Sequence, residues 1–152
     1  MKDIDHTTAL GRAPLNPQPV PRGRPNCGLV ALAHFTDENY DRVERFVRKL
    51  RPGNWKGVTF RKDYLAFFAR IGLPVVYQQY DRREQQLTLA QWVEQVAAPG
   101  RRYFVVTTGH AQVVYDGYVI DQHDHAPVHV SQFHWKRKKV KHWFYIDGEV
   151  AQ

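Results

Sequence analysis

From Cys27 to Phe35 the chain reads Cys-Gly-Leu-Val-Ala-Leu-Ala-His-Phe, an apolar run with no breaker after Gly28. Asn26 stands directly before it, a residue type whose side chain caps helix N-termini, so the pattern predicts a buried helix. Thr36 and Asp37 offer a second cap. Beyond them Val43, Phe46, Val47 and Leu50 recur at helical spacing, with Arg42, Arg45, Arg48 and Lys49 on other faces, and Pro52-Gly53 ends the segment. A third helix is expected from about Thr59, placing Tyr64, Leu65, Phe67, Phe68 and Ile71 before Gly72, and a fourth from Thr88 to Pro99-Gly100. After Gly100 the period changes. Residues 103–107, 110–115, 118–121 and 140–146 are rich in Val, Tyr, Phe, Ile and Trp, as strands are, and a short strand is expected at 75–78.

Helices first and strands afterwards predict an α+β domain in which N-terminal helices pack on a C-terminal antiparallel sheet. Residues 1–25 stand apart: Pro14, Pro17, Pro19, Pro21 and Pro25 fix φ and remove backbone donors, so neither a helix nor a central strand can run through them. This Pro-rich arm is either a strap across the domain of residues 26–152 or a tail charged by Arg12, Arg22 and Arg24.

Composition narrows the class. At 152 residues with 43% apolar positions, one packed core is expected. No apolar stretch approaches the roughly 18 residues of a membrane helix, and no apolar signal segment opens the chain, so the expectation is no membrane association and a cytoplasmic location. The net charge of +7 favours an anionic partner without choosing one. Cys27 is the single cysteine, which excludes an intramolecular disulfide and a thiolate zinc site and leaves a buried small hydrophobe or a reactive thiol.

The reactive reading draws on position. A helix N-terminus favours the thiolate, which lowers a thiol's pKa. Gly28 would let a substrate carbonyl approach the backbone, and the Cys27 N–H points to an oxyanion donor. A base and its orienting carboxylate come from the segment His110 to Asp121, where Asp116-Gly117 is the chemistry of a two-residue type I′ turn. With Tyr115 opposite Tyr118, His110 faces His123, and Asp121 falls on the same sheet face one diagonal step from His110, with Gln112 directly opposite Asp121. Nucleophile, base and carboxylate on helix, strand and next strand make the generalised triad Cys27–His110–Asp121, which needs no cofactor.

Asn26-Cys27-Gly28-Leu29-Val30-Ala31-Leu32-Ala33, followed by a helix containing Tyr40, resembles the start of papain-like cysteine peptidase domains, including small phage-encoded ones. Residues 100–110, ending in Gly109-His110, then Asp116-Gly117 and Ile120-Asp121, resemble the strand–His–hairpin–Asp segment of that family. The resemblance covers roughly residues 26–121 and implies a papain-like fold, a protein or peptide substrate, and the three roles just given. One departure stands out. Many members carry a Gln six residues before the nucleophile to complete the oxyanion hole, and Pro21 is found there, leaving Gln18 or Asn26 as substitutes.

Two other patterns compete. Asp121, His123, His125, His129 and His134 suggest a metal site only superficially, since neither paired cysteines nor an H-E-x-x-H helix accompanies them, and solvated loop histidines are the expected reading. Lys136, Arg137, Lys138, Lys139 and Lys141, beside Trp135 and Trp143, form a basic patch that would suit nucleic acid, or simply a basic turn before the last strand. The main alternative to a hydrolase is a non-catalytic scaffold that binds a protein or nucleic acid.

Overall fold

Asn26 accepts the Leu29 N–H through Oδ1 at 3.1 Å and opens α1, Cys27–Thr36. The computed structural model describes residues 14–21, 26–51, 53, 55, 57, 59–81, 83–123 and 126–148; Arg12, Arg22, Arg24, Pro25, Pro52 and His125 lie outside the described residues. Asp37 turns into the left-handed region at φ 55° and closes α1 rather than opening the next helix, so the cap of α2, Tyr40–Leu50, falls to Asn39. Helix α3, Arg61–Arg70, starts two residues beyond Thr59, where Asp63 accepts the Phe60 N–H and a two-pronged ion pair from Arg51 at 3.0 and 2.8 Å. Its buried face is Tyr64, Phe67 and Phe68, while Leu65 points outward. The short α4, Leu89–Gln95, has the reciprocal Thr88–Gln91 capping box.

The strands are β1 Val75–Gln79, β2 Arg102–Thr107, β3 His110–Tyr115, β4 Tyr118–Ile120, β5 Val128–His129 and β6 Val140–Ile146. They form one antiparallel sheet in the order β1-β6-β2-β3-β4-β5. Asp116 and Gly117 both adopt positive φ, 48° and 81°, and Tyr115 pairs with Tyr118, so the turn fixes the expected register. The two-residue β5 and the 3₁₀ turn Val130–Gln132 carry no period long enough to be read from sequence.

Period-two alternation divides the interior in two. Phe104, Ala111, Val113, Ile120 and Phe144 pack against α1, α2 and α3 in one cluster. Their neighbours Tyr103, Val105, Val114, Val119 and Trp143 pack on the other face with Leu89, Trp92, Val130 and Phe133. The sheet is therefore covered on both sides, one by the N-terminal helices and the other by α4 and the segment before β6.

Residues 14–21 of the Pro-rich arm lie across the domain. Leu15 and Val20 pack on the first cluster, the Gln18 N–H donates to His34 Nδ1 at 3.2 Å, and Pro14 O accepts from Arg102 at 2.8 Å. The Arg102 side chain is fully buried and also binds the C-terminal carbonyls of α1, His34 O and Phe35 O, and the Asp37 carboxylate. Positive charge at a helix C-terminus is favoured by the peptide dipoles. Burial, aided by the Arg102 charge, pushes the His34 pKa down from 6.5 to about 4. An unfolded chain would take up this proton near 6.5 and the folded one only near 4. Stability held above that window therefore falls as the pH drops through it, by about 3 kcal/mol for a 2.5-unit difference. Urea midpoints of the wild type should fall more steeply between pH 7 and 4 than those of His34→Gln; parallel curves would remove His34 as the cause.

Candidate active site

The start of α1 and the start of β3 meet at one end of the sheet. Cys27 is half-buried, and the backbone N–H groups of Ala111, Gly28 and Cys27 itself lie around its sulfur. A cavity of about 450 Å³ opens here, lined by Asn26, Cys27, Thr59, Tyr64, His110 and Ala111 among others. Gly109 at φ 68° supports the tight turn that delivers His110 to this rim. A larger hollow of about 700 Å³ between α2 and α3 is lined by Arg42, Arg45, Lys49, Arg70, Phe46 and Phe67 and holds no nucleophile.

His110 and Asp121 are both buried, and His110 Nε2 lies 2.8 Å from Asp121 Oδ2. The diagonal relation set by the hairpin thus closes into a hydrogen bond. Asp121 Oδ1 accepts the His123 N–H at 3.0 Å, which holds the carboxylate from its second oxygen. Burial alone would raise the Asp121 pKa, but these bonds and the neighbouring imidazoles hold it below the ordinary carboxylate value. Burial lowers the His110 pKa below 6.5 against the pull of Asp121, so the ring is neutral at pH 7 beside an ionised carboxylate.

The thiol differs from the expectation drawn from its helix position. Burial pushes the Cys27 pKa upward, and Asp121 adds to this, outweighing the N–H groups of Ala111, Gly28 and Cys27. The resting pair is neutral thiol and neutral imidazole. Gly28 has a different reason as well. A Cβ there would overlap Thr59 Oγ1 and come 2.6 Å from the Tyr64 hydroxyl, which hydrogen-bonds Thr59 at 2.8 Å. The space is filled by protein rather than kept for substrate. Gly28→Ala should destabilise the fold by about 1–3 kcal/mol, as overpacking does; an unchanged denaturation midpoint would refute this packing role.

Gln18 and Asn26, the residues expected to stand in for an oxyanion Gln, separate. The Gln18 side chain donates to Asn16 O at 3.2 Å and lies outside the cavity lining, and Pro21 is exposed. Asn26 does line the cavity; with Oδ1 used as the helix cap, its Nδ2 lies beside Gly57. Gln112 is fully buried and serves the sheet, donating to Val105 O at 2.6 Å and accepting from Thr107 at 3.4 Å.

Trp135 was legible only as a neighbour of the basic run. Its ring packs edge-on against His110, with centroids 4.4 Å apart, and against His123 at 4.9 Å, covering the buried Asp–His pair. Lys138 Nζ sits 4.2 Å from the centre of the Trp135 ring and donates to Thr108 O. Lys136 donates to Ser131 O and Lys141 to Gln86. Lys139 pairs with Thr88 through the backbone, Arg137 is exposed, and Trp143 is buried. The basic run is thus a turn bound to the start of α4, and neither indole stands open as a platform for a base.

His123 and His134 converge beside Asp121, whereas His129 lies apart, with Nδ1 2.7 Å from Ser131 Oγ and its ring against Tyr118. Among the described residues no helix is long and apolar enough to cross a membrane. Compared with known proteins, the chain matches no family model, no curated protein and no solved structure.

Proposed function

We propose that this chain is a papain-like cysteine hydrolase, a peptidase or amidase, with Cys27 as nucleophile, His110 as base and Asp121 as the group that orients the base. The observation that carries this reading is the buried 2.8 Å His110–Asp121 bond at the rim of the cavity lined by Cys27. Because Nε2 is engaged by Asp121, the other ring nitrogen, Nδ1, takes the thiol proton. The sulfur then attacks an acyl carbonyl, and the carbonyl electron pair moves to oxygen, stabilised by the Cys27 N–H and the Asn26 side-chain amide. His110 returns its proton to the departing amine, leaving a thioester. Water, deprotonated by His110, attacks the thioester, and the thiol leaves with the proton. Asp121 stays ionised throughout and stabilises the imidazolium.

An activated ester tests this without knowledge of the natural substrate. Treatment with p-nitrophenyl acetate should acetylate Cys27, seen by peptide mass mapping, and then release acetate with turnover. Cys27→Ala should lose both signals. Acetyl groups on lysines with none on Cys27 would sink the proposal.

One observation favours a second reading, that of a non-catalytic scaffold: the thiol is raised rather than activated at rest. Under it, Cys27→Ala would leave partner binding intact and the ester would find no His110-dependent thiol.

A further inference from the structure

The chain brings together one carboxylate and two imidazoles that no step of the proposed reaction uses as a set. Asp121, His123 and His134 each offer a ligand atom, and these atoms lie within 4.8 Å of one another. His134 Nε2 is 3.6 Å from Asp121 Oδ2. Two ligands of a tetrahedral zinc ion, each bonded at about 2.1 Å, stand about 3.4 Å apart, so this edge is already close to closed. The carboxylate is buried and the two histidines are exposed, which gives a carboxylate floor with two ring nitrogens at a solvent-facing mouth. A second observation lies at the same place. Gln122 Nε2 lies 3.4 Å from His123 Nε2, and the buried Oε1 of the same amide has no hydrogen-bond partner among the described residues. Trp135 packs against His123 and His134, supplying an apolar wall of the kind that limits water around a bound ion.

We propose that Asp121, His123 and His134 form a site for a zinc-like divalent cation, and that its occupancy silences the neighbouring Cys27–His110 pair. The oxygen nearest His134, Asp121 Oδ2, is the one bonded to His110 Nε2. A cation on that oxygen competes with the imidazole N–H for it and so loosens the bond that holds the His110 ring in place beside Cys27. Binding itself stands independently of the hydrolase reading; only the silencing rests on it.

Calorimetric titration with zinc chloride tests the binding in wild type, Cys27→Ala, His134→Ala and His129→Ala. One ion should bind to wild type and Cys27→Ala alike. His134→Ala should weaken it by more than about tenfold, the least that even outer-shell changes cost a metal site, and His129→Ala should leave it unchanged. Absence of binding in wild type would overturn the site, as would binding lost in Cys27→Ala but retained in His134→Ala, which would put the ion on the thiol. For the coupling, zinc should slow modification of Cys27 by iodoacetamide in wild type and not in His134→Ala; equal slowing in both would overturn it. If modification never depends on His110 while zinc still follows the pattern above, the metal site stands and the hydrolase reading falls.

Discussion

His110→Ala should slow the alkylation of Cys27 by iodoacetamide at pH 7 by about 100-fold or more. A thiol raised above its ordinary value of 9.0 is ionised to about 1% or less at that pH. Under the proposed function His110 must therefore generate the thiolate, and positioned bases contribute roughly 10²- to 10⁴-fold. The sign of the pH dependence follows from burial. His110 is lowered below 6.5, so the neutral ring persists into mildly acidic solution. The wild-type rate should rise through that lowered ionisation and level off near neutrality, whereas the variant should climb only near or above pH 9. Intact mass against time, between pH 5 and 10, separates the two. A wild-type curve that rises only above pH 8 and superimposes on the variant would remove His110 as the base.

Arg102→Met should cost about 3–5 kcal/mol of folding stability, because each buried acceptor left without its donor costs about 1–3 kcal/mol. The guanidinium reaches acceptors in two parts of the chain, Pro14 in the arm and His34, Phe35 and Asp37 at the end of α1, over 2.8 to 3.2 Å. Methionine fills the volume and leaves two helix-end carbonyls and a carboxylate without their donor. At roughly 2–4 °C per kcal/mol for a chain of this size, Tm should fall by about 10 °C. Arg102→Lys should recover only part of the loss, because an ammonium cannot span the same fork of acceptors. A shift of less than about 2 °C in the Met variant would show that the acceptors find other donors. The same variant should expose the 14–21 segment to protease earlier than the wild type, since the Pro14 bond is one of its few ties.

How much of this could be read from sequence depends on how local the cause is. The α1 start needed only Asn26 before an apolar run, and the β3–β4 register needed only Asp116-Gly117 between alternating residues. Because that register fixes which residues share a face, the His110–Asp121 bond followed from a count along the hairpin. At α2 Asn39 caps rather than Thr36 or Asp37, because capping residues two positions apart, Asp37 and Asn39, serve opposite ends of neighbouring helices.

Causes that act across the chain were hidden. Arg102 looked like one of many basic residues until the fold buried it under α1, because a charge enters an interior only where distant acceptors assemble around it. Trp135 read as part of a basic, aromatic run, and only folding laid it on His110. The sign of the Cys27 shift was likewise out of reach, since sequence locates the helix N-terminus but not the burial that outweighs it. His134 joins Asp121 and His123 from eleven residues downstream, a spacing that matches no metal motif. Capping, turn chemistry and alternation act over short range, so the residues alone carried the helix-then-strand order, the hairpin register and the placing of His110 and Asp121 on one sheet face. Tertiary structure alone decided burial, protonation and which distant groups share a site, because those depend on what the rest of the chain packs around each side chain.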